Sequence, residues 1–318
     1  MHKIFTLLAA AIAIPCTAWA GYPSPQLQKA IDAYNQEHYE SALQQFTAIV
    51  AQQPRQGYAW GYIARIRQHN EQPGQALEAG RKALELVPQP DSVFRASLHA
   101  CMASSYTATR DTAAALDALD HAVALDAHDP DYRYQRASLL MKHGRCSQAE
   151  TDYRYLAQAD TLNPDGLMGL GTALDCQGRA QEALEAFDQA IARFPADDGA
   201  RAFRAAQYFN LRRYSEAADD AIHSLELKPD NRHALWVMSN LAAVDATGLA
   251  AKLKAKQAAD AAHAGYWASL INQFTPAPES RTPPGHAMAQ HGPHAHAGGQ
   301  RTHTKRVKPS SLTLQVLI

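Results

Sequence analysis

The sequence predicts an all-α protein, an α-solenoid of stacked helical hairpins. Three observations carry the prediction. Small residues recur with a period of 34 through most of the 318-residue chain. Apolar residues recur within each period at steps of three and four, which gives a helix one apolar face. Hydrophobic residues make up 46% of the chain and charged residues 19%, enough apolar content to bury a core.

The first twenty residues form a separate object. His2 and Lys3 precede an apolar run from Ile4 to Ile14, and Ala18-Trp19-Ala20 is a small-x-small cleavage site. This is the pattern of a secretory signal peptide cut after Ala20, with an apolar run too short to span a bilayer. Cys16 raises a lipoprotein alternative, but Ile14-Pro15 does not resemble a lipoprotein cleavage box. A periplasmic or secreted protein is therefore expected. No later stretch is apolar enough to anchor the chain. Cleavage would leave Cys101, Cys146 and Cys176, an odd number, in a compartment where disulfides persist.

The repeats occupy 21–274. Ala42, Ala76, Ala115, Ala149, Ala183, Ala217 and Ala251 stand in register, and the one long step places five extra residues, Asp91 to Arg95, between units. Twelve residues earlier come Ala30, Ala64, Ala103, Ala137, Gly171, Ala205 and Ser239. Seven residues later come Ile49, Ala83, Ala122, Leu156, Ala190, Ser224 and Ala258. Twelve residues later come Pro54, Pro88, Ala127, Thr161, Pro195 and Pro229. The prolines would close the second helix, and Gly144-Arg145, Gly178-Arg179 and Leu211-Arg212 would mark turns between helices.

These columns resemble the tetratricopeptide repeat (TPR), a helix–turn–helix unit of 34 residues with small residues at positions 8 and 20, an aromatic near 24 and Pro at 32. Phe46, Tyr153 and Phe187 fill position 24. The resemblance implies a right-handed superhelix with units at about 23–56, 57–90, 96–129, 130–163, 164–197 and 198–231, a degenerate seventh at 232–265, and a cap at 266–274. Arg133, Arg136, Arg201 and Arg204 occupy positions 4 and 7, where the family prefers apolar residues. They are expected to snorkel, with their charge in water.

The resemblance also implies a function. First-helix positions that line the concave face of such arrays supply Tyr58, Arg65, His69, Tyr134, Met141, Met168, Phe209, Asn210, Trp236 and Asn240 as candidate partner-binding residues. Aromatics and Met suit recognition because they offer large contact area at modest entropy cost. Each of them could instead pack between helices. Leu27 and Ile31 stand where the carboxylate-clamp subtype needs Lys and Asn, which disfavours that ligand class. In a TPR stack the start of the second helix at Cys146 would neighbour the end of the next first helix at Cys176. The two thiols could form a disulfide or stay separate.

Beyond Thr275 the chain turns Pro-, Gly- and His-rich without helical period, and 275–318 is expected to be a disordered tail. His286, His291, His294 and His296 are the one candidate metal cluster, on composition alone. Leu312 to Ile318 return to apolar composition. No phosphate loop, nucleophile elbow or His-Glu-x-x-His pair occurs, and the formal net charge of −1 offers no basic footprint for nucleic acid. The reading is a non-catalytic scaffold in a bacterial cell envelope that needs no cofactor and binds another protein or peptide. The alternatives are metal binding through the His-rich tail, or a role as an accessory subunit of an envelope enzyme or of a polysaccharide or secretion machine.

Overall fold

The computed structural model describes residues 24–159 and 163–275. The signal-peptide reading of 1–20 and the candidate ligands His286, His291, His294 and His296 lie outside them. The described residues form α-helices and one 3-10 turn, with no strand. They fall into two compact units, one ending at Ala127 and one beginning at His128.

The first unit holds α1 (Pro25–Asn35), α2 (Tyr39–Gln52), α3 (Gly57–His69), α4 (Pro73–Leu86), α5 (Ser92–Ala108) and α6 (Thr112–Leu125). The second holds α7 (Pro130–Lys142), α8 (Cys146–Ala159), α9 (Asp165–Cys176), α10 (Ala180–Arg193), α11 (Asp198–Asn210), α12 (Tyr214–Leu227), α13 (Arg232–Val244), α14 (Ala246–Ala259), the 3-10 turn Ala261–His263 and α15 (Ala264–Phe274). Within each unit, consecutive helices pack as antiparallel hairpins that stack on their neighbours. This is the α-solenoid arrangement the sequence predicts.

The hairpin turns share one construction. Between α1 and α2, α3 and α4, α5 and α6, α7 and α8, α9 and α10, and α11 and α12 lie three residues. The middle one is left-handed: Glu37, Glu71, Arg110, Gly144, Gly178 and Arg212, with φ between 56° and 76°. The following N–H reaches back five residues, as in Arg145 to the Leu140 carbonyl (2.9 Å) and Arg179 to the Leu174 carbonyl (3.0 Å). This is the Schellman closure, which satisfies carbonyls orphaned at the helix end. Prolines then punctuate the connections between hairpins. Pro54, Pro88, Pro195 and Pro229 each fall two residues beyond the end of a second helix.

The small-residue columns are buried where first and second helices cross. Ala42, Ala76, Ala115, Ala149, Ala183 and Ala217 are all 0% exposed, so the helices meet with nothing larger than a methyl between them. The seventh hairpin departs from this pattern. Ser239, Ala251 and Ala258 are exposed, and the core is built instead by Val237, Met238, Leu241, Leu249 and Leu253. The cause is the connection. Asp245 alone joins α13 to α14, donating its N–H to the Leu241 carbonyl (2.7 Å) and capping α14 by accepting from the Gly248 N–H (3.0 Å). A one-residue link removes the three-residue turn and shifts the helix face that points inward. Trp267 and Leu270 of α15 then cover this end, both buried.

Two further expectations need correction. The five extra residues do not sit between units. Asp91 caps α5, accepting from the Phe94 N–H (3.1 Å), so Ser92 to Arg95 lengthen that helix by about a turn and its unit begins at Ser92 rather than 96. The arginines do not simply carry their charge into water. Arg136 grips Asp152 with two parallel bonds (2.8 and 2.7 Å) and Arg133 adds a third (3.2 Å), while Asp152 is 1% exposed. Arg204 repeats the arrangement on buried Asp220 (2.6 and 2.7 Å). In both hairpins the Arg precedes a crossing alanine on the first helix, and the Asp faces it sixteen residues later on the second.

Candidate partner-binding pocket

In the second unit, α7, α8, α9 and α11 enclose a pocket of about 230 Å³. Tyr134, Met141 and Met168, three of the expected groove residues, line it together with Tyr153, Phe203 and Gly169. Lys142 and Asp165 put opposite charges at its walls. The volume exceeds the roughly 150 Å³ that accommodates a benzene-sized group.

The pocket follows from local choices. Gly169 has no side chain, so the Tyr153 ring lies directly against the α9 backbone, in space a Cβ would occupy. Tyr134 stands edge-on to Tyr153 with ring centroids 6.2 Å apart and remains 44% exposed. Phe203 is held from behind by Phe187 (6.2 Å) and His233 (4.8 Å). Burial, followed by the charges of Tyr134, Asp165 and Asp152, pushes the Tyr153 phenol well above its usual range, and burial then Asp165 raise Tyr134. Both phenols stay neutral at physiological pH, which suits an apolar guest.

Cys146 and Cys176 are bridged in the structure, with Cα atoms 6.1 Å apart. The bridge ties the start of α8 to the end of α9. Beside it, Glu150 accepts hydrogen bonds from Gln177 (2.8 Å) and Arg179 (2.7 Å), a second tie from α8 to the turn between α9 and α10. Both lie close in sequence to pocket residues: Met141 and Lys142 precede Cys146, and Thr172 precedes Cys176 by one turn.

The other expected groove residues are placed differently. In the first unit, Tyr58 donates its hydroxyl to Asp91 (2.9 Å) and its ring packs edge-on to Phe94. Arg65 lies over the rings of Tyr62 and Phe94, 5.3 and 4.8 Å from their centroids, and donates to Ser97. These two side chains serve the packing of α3 on α5. His69 is exposed, against the Tyr39 ring (4.4 Å). In the second unit Phe209 and Trp236 form an edge-to-face pair beside Tyr214, Asn240 donates to the Trp236 carbonyl (2.8 Å), and Asn210 is exposed at the end of α11. They form a half-buried patch apart from the pocket lining. Tyr153, Phe203, Asp165 and Lys142 were not among the expected residues. The available signal was Gly169, a glycine inside a helix opposite a position-24 aromatic.

His99 stacks on His121 (5.0 Å), and burial pushes the Cys101 thiol up to about 11 despite the nearby Arg65, leaving it a poor nucleophile. Among the described residues no cluster of three or more His, Cys, Asp or Glu could hold a metal ion, and no helix is long and apolar enough to cross a membrane.

The stacked helical hairpins define a helical-repeat scaffold. Comparison with known proteins gives the family: its model matches residues 27–90, 134–198 and 168–232, just over half of the chain, and this chain belongs to the tetratricopeptide-repeat family. Proteins of this family bind other proteins or peptides and are generally non-catalytic adaptors. Among curated relatives, the Hsp70-Hsp90 organizing protein of Triticum aestivum is 34% identical over 123 residues, covering 37% of this chain and 21% of its own. The PEX5-related protein of Homo sapiens is 28% identical over 165 residues, covering 47% and 25%. The chain thus spans about a quarter or less of the curated relatives it matches. A TPR repeat-containing protein from Cytophaga hutchinsonii shares the fold at a TM-score of 0.63 and 14% identity, covering 80% of this chain and 96% of that one.

Proposed function

We propose that this chain is a non-catalytic scaffold of a bacterial cell envelope that holds an extended segment of a partner protein, one large apolar side chain of which enters the second-unit pocket. The carrying observation is the pocket itself: aromatic and Met walls, a volume suited to one bulky side chain, and a charged residue of each sign to orient the flanking chain. The walls stand on helices tied by ion pairs and a bridge, so binding demands little reorganisation. The likeness to a relative named for organizing Hsp70 and Hsp90 supports an interaction role. Export is supported by the leader pattern of residues 1–20 and by the suitability of a Cys146–Cys176 bridge to an oxidising compartment.

Selection of random peptides on the full chain tests this reading. Enriched peptides are expected to share a large apolar residue, and Met168→Lys should weaken them about tenfold or more, roughly 1.4 kcal/mol, with the far-UV spectrum unchanged. Enrichment indifferent to Met168→Lys would overturn it. Finding Ala20-Gly21 still joined in protein isolated from its native envelope would overturn the export part alone.

A further inference from the structure

We infer that the basic and apolar segment Lys305–Ile318 of this same chain occupies the second-unit pocket in the absence of a partner, as a built-in competitor. The inference rests on the proposed peptide-binding role of that pocket. The chemistry of the two surfaces matches.

In the segment, Leu312, Leu314 and Val316 alternate with Thr313 and Gln315. In an extended peptide this puts the three apolar side chains on one face, successive ones about 6.6 Å apart. One enters the pocket while its neighbours lie over the exposed faces of Tyr134 and Phe203. Lys305, Arg306 and Lys308 precede this face. From Lys308 to Leu312 is four residues, about 13 Å when extended.

The starts of the pocket's helices offer carboxylates to meet those cations. Three of the pocket's helices, α7, α9 and α11, each carry an Asp in the first turn: Asp131, Asp165 and Asp198. Asp165 lines the pocket itself. A segment with apolar side chains in the pocket and its cations toward these helix starts is matched in both charge and hydrophobicity.

The tether is long enough. Thirty residue-to-residue steps separate Thr275, next after α15, from Lys305. Extended, they reach about 100 Å. The helices between α15 and α7, packed at 8–10 Å per layer, occupy on the order of 40 Å along the second unit. A tethered ligand acts at an effective concentration in the millimolar range, so a weak match suffices to fill the site and a stronger partner displaces it.

Photo-crosslinking of the purified full chain tests this directly. p-Benzoylphenylalanine is placed at the position of Tyr134 and, in a second variant, at that of Lys142; both side chains are exposed. Irradiation of dilute protein should yield a product of monomer size, joined to residues between 305 and 318. Leu314→Asp together with Val316→Asp should cut its yield about tenfold. The same crosslink in a product of dimer size would overturn the inference in favour of a second copy. Absence of the crosslink, while a library-selected peptide still crosslinks at both positions, would overturn the inference and leave the scaffold reading standing. Failure of the selected peptide as well would overturn both.

Discussion

Removing the carboxylate of Asp152 should cost the second unit about 3 kcal/mol. Asp152 is 1% exposed and receives three guanidinium bonds, two from Arg136 at 2.7 and 2.8 Å and one from Arg133 at 3.2 Å. Breaking a buried ion pair by deleting one partner typically costs ~3–5 kcal/mol, because the remaining charge is stranded. Here the side chains of Arg133 and Arg136 keep 16% and 19% exposure, so water relieves part of the penalty and the low end applies. Asp220→Ala is the internal comparison. Arg204 retains Asp188 at 2.6 Å after Asp220 is lost, so its cost should be smaller, about 2 kcal/mol. Urea unfolding followed by circular dichroism at 222 nm measures both. In thermal melts, a chain of this size moves about 2–4 °C per kcal/mol, so Asp152→Ala should lower Tm by roughly 6–12 °C. An Asp152→Ala protein within ~0.5 kcal/mol of the parent, the scale of an ordinary surface change, would refute the reasoning. So would a larger loss from Asp220→Ala.

Acidification should act on the first unit through His99. Burial, then the neighbouring charges of His121 and Arg95, hold its imidazole down to about 4, with Asp117 opposing. Below pH ~6.5 the unfolded chain takes up a proton that the folded one refuses. This contribution is therefore complete above pH ~6.5 and declines as pH falls toward 4, by on the order of 1–2 kcal/mol after allowance for partial exposure. His99→Gln should flatten that slope, and an unchanged slope would contradict the assignment. At the turns, Gly144→Ala should destabilise by about 1 kcal/mol because its φ is +69°, whereas Arg110→Gly, at φ +62°, should be neutral or stabilising; chemical unfolding reads both signs. Non-reducing peptide mapping should recover Cys146 joined to Cys176 and Cys101 free. Reduction should then cost about 3–4 kcal/mol for a separation of 30 residues. Recovery of all three as free thiols would contradict the bridge.

The hairpin stack was legible because its constraints are local and repeated. A crossing tolerates only a methyl or nothing, so the restriction appears in every unit as a visible column. Where the restriction ends, so does the legibility. Ala251 matches the column by identity alone, since a one-residue link at Asp245 turns its helix face outward, and alanine is too common for one match to carry information. The buried Arg–Asp pairs were hidden for a different reason. An arginine on a helix face reads as solvated unless its partner is known, and Asp152 lies sixteen residues from Arg136, beyond any helical spacing. The pocket was half legible. Tyr134, Met141 and Met168 follow from position within the unit, but Phe203 arrives from a neighbouring hairpin, and Tyr153 lies against the α9 backbone because Gly169 lacks a side chain. Tyr58 and Arg65 meet the same positional rule yet are occupied by Asp91, Phe94 and Ser97, partners on or capping the lengthened α5.

Placing one leucine at each of two alanines that share a column in the sequence tests the account most directly. Ala183 is fully buried at a helix crossing, and Ala251 faces solvent. Ala183→Leu should overpack its crossing and lose about 1–3 kcal/mol by urea unfolding, while Ala251→Leu should stay within ~0.5 kcal/mol of the parent. Equal effects at the two positions, or a silent Ala183→Leu, would contradict the packing on which the hairpin stack and its pocket depend.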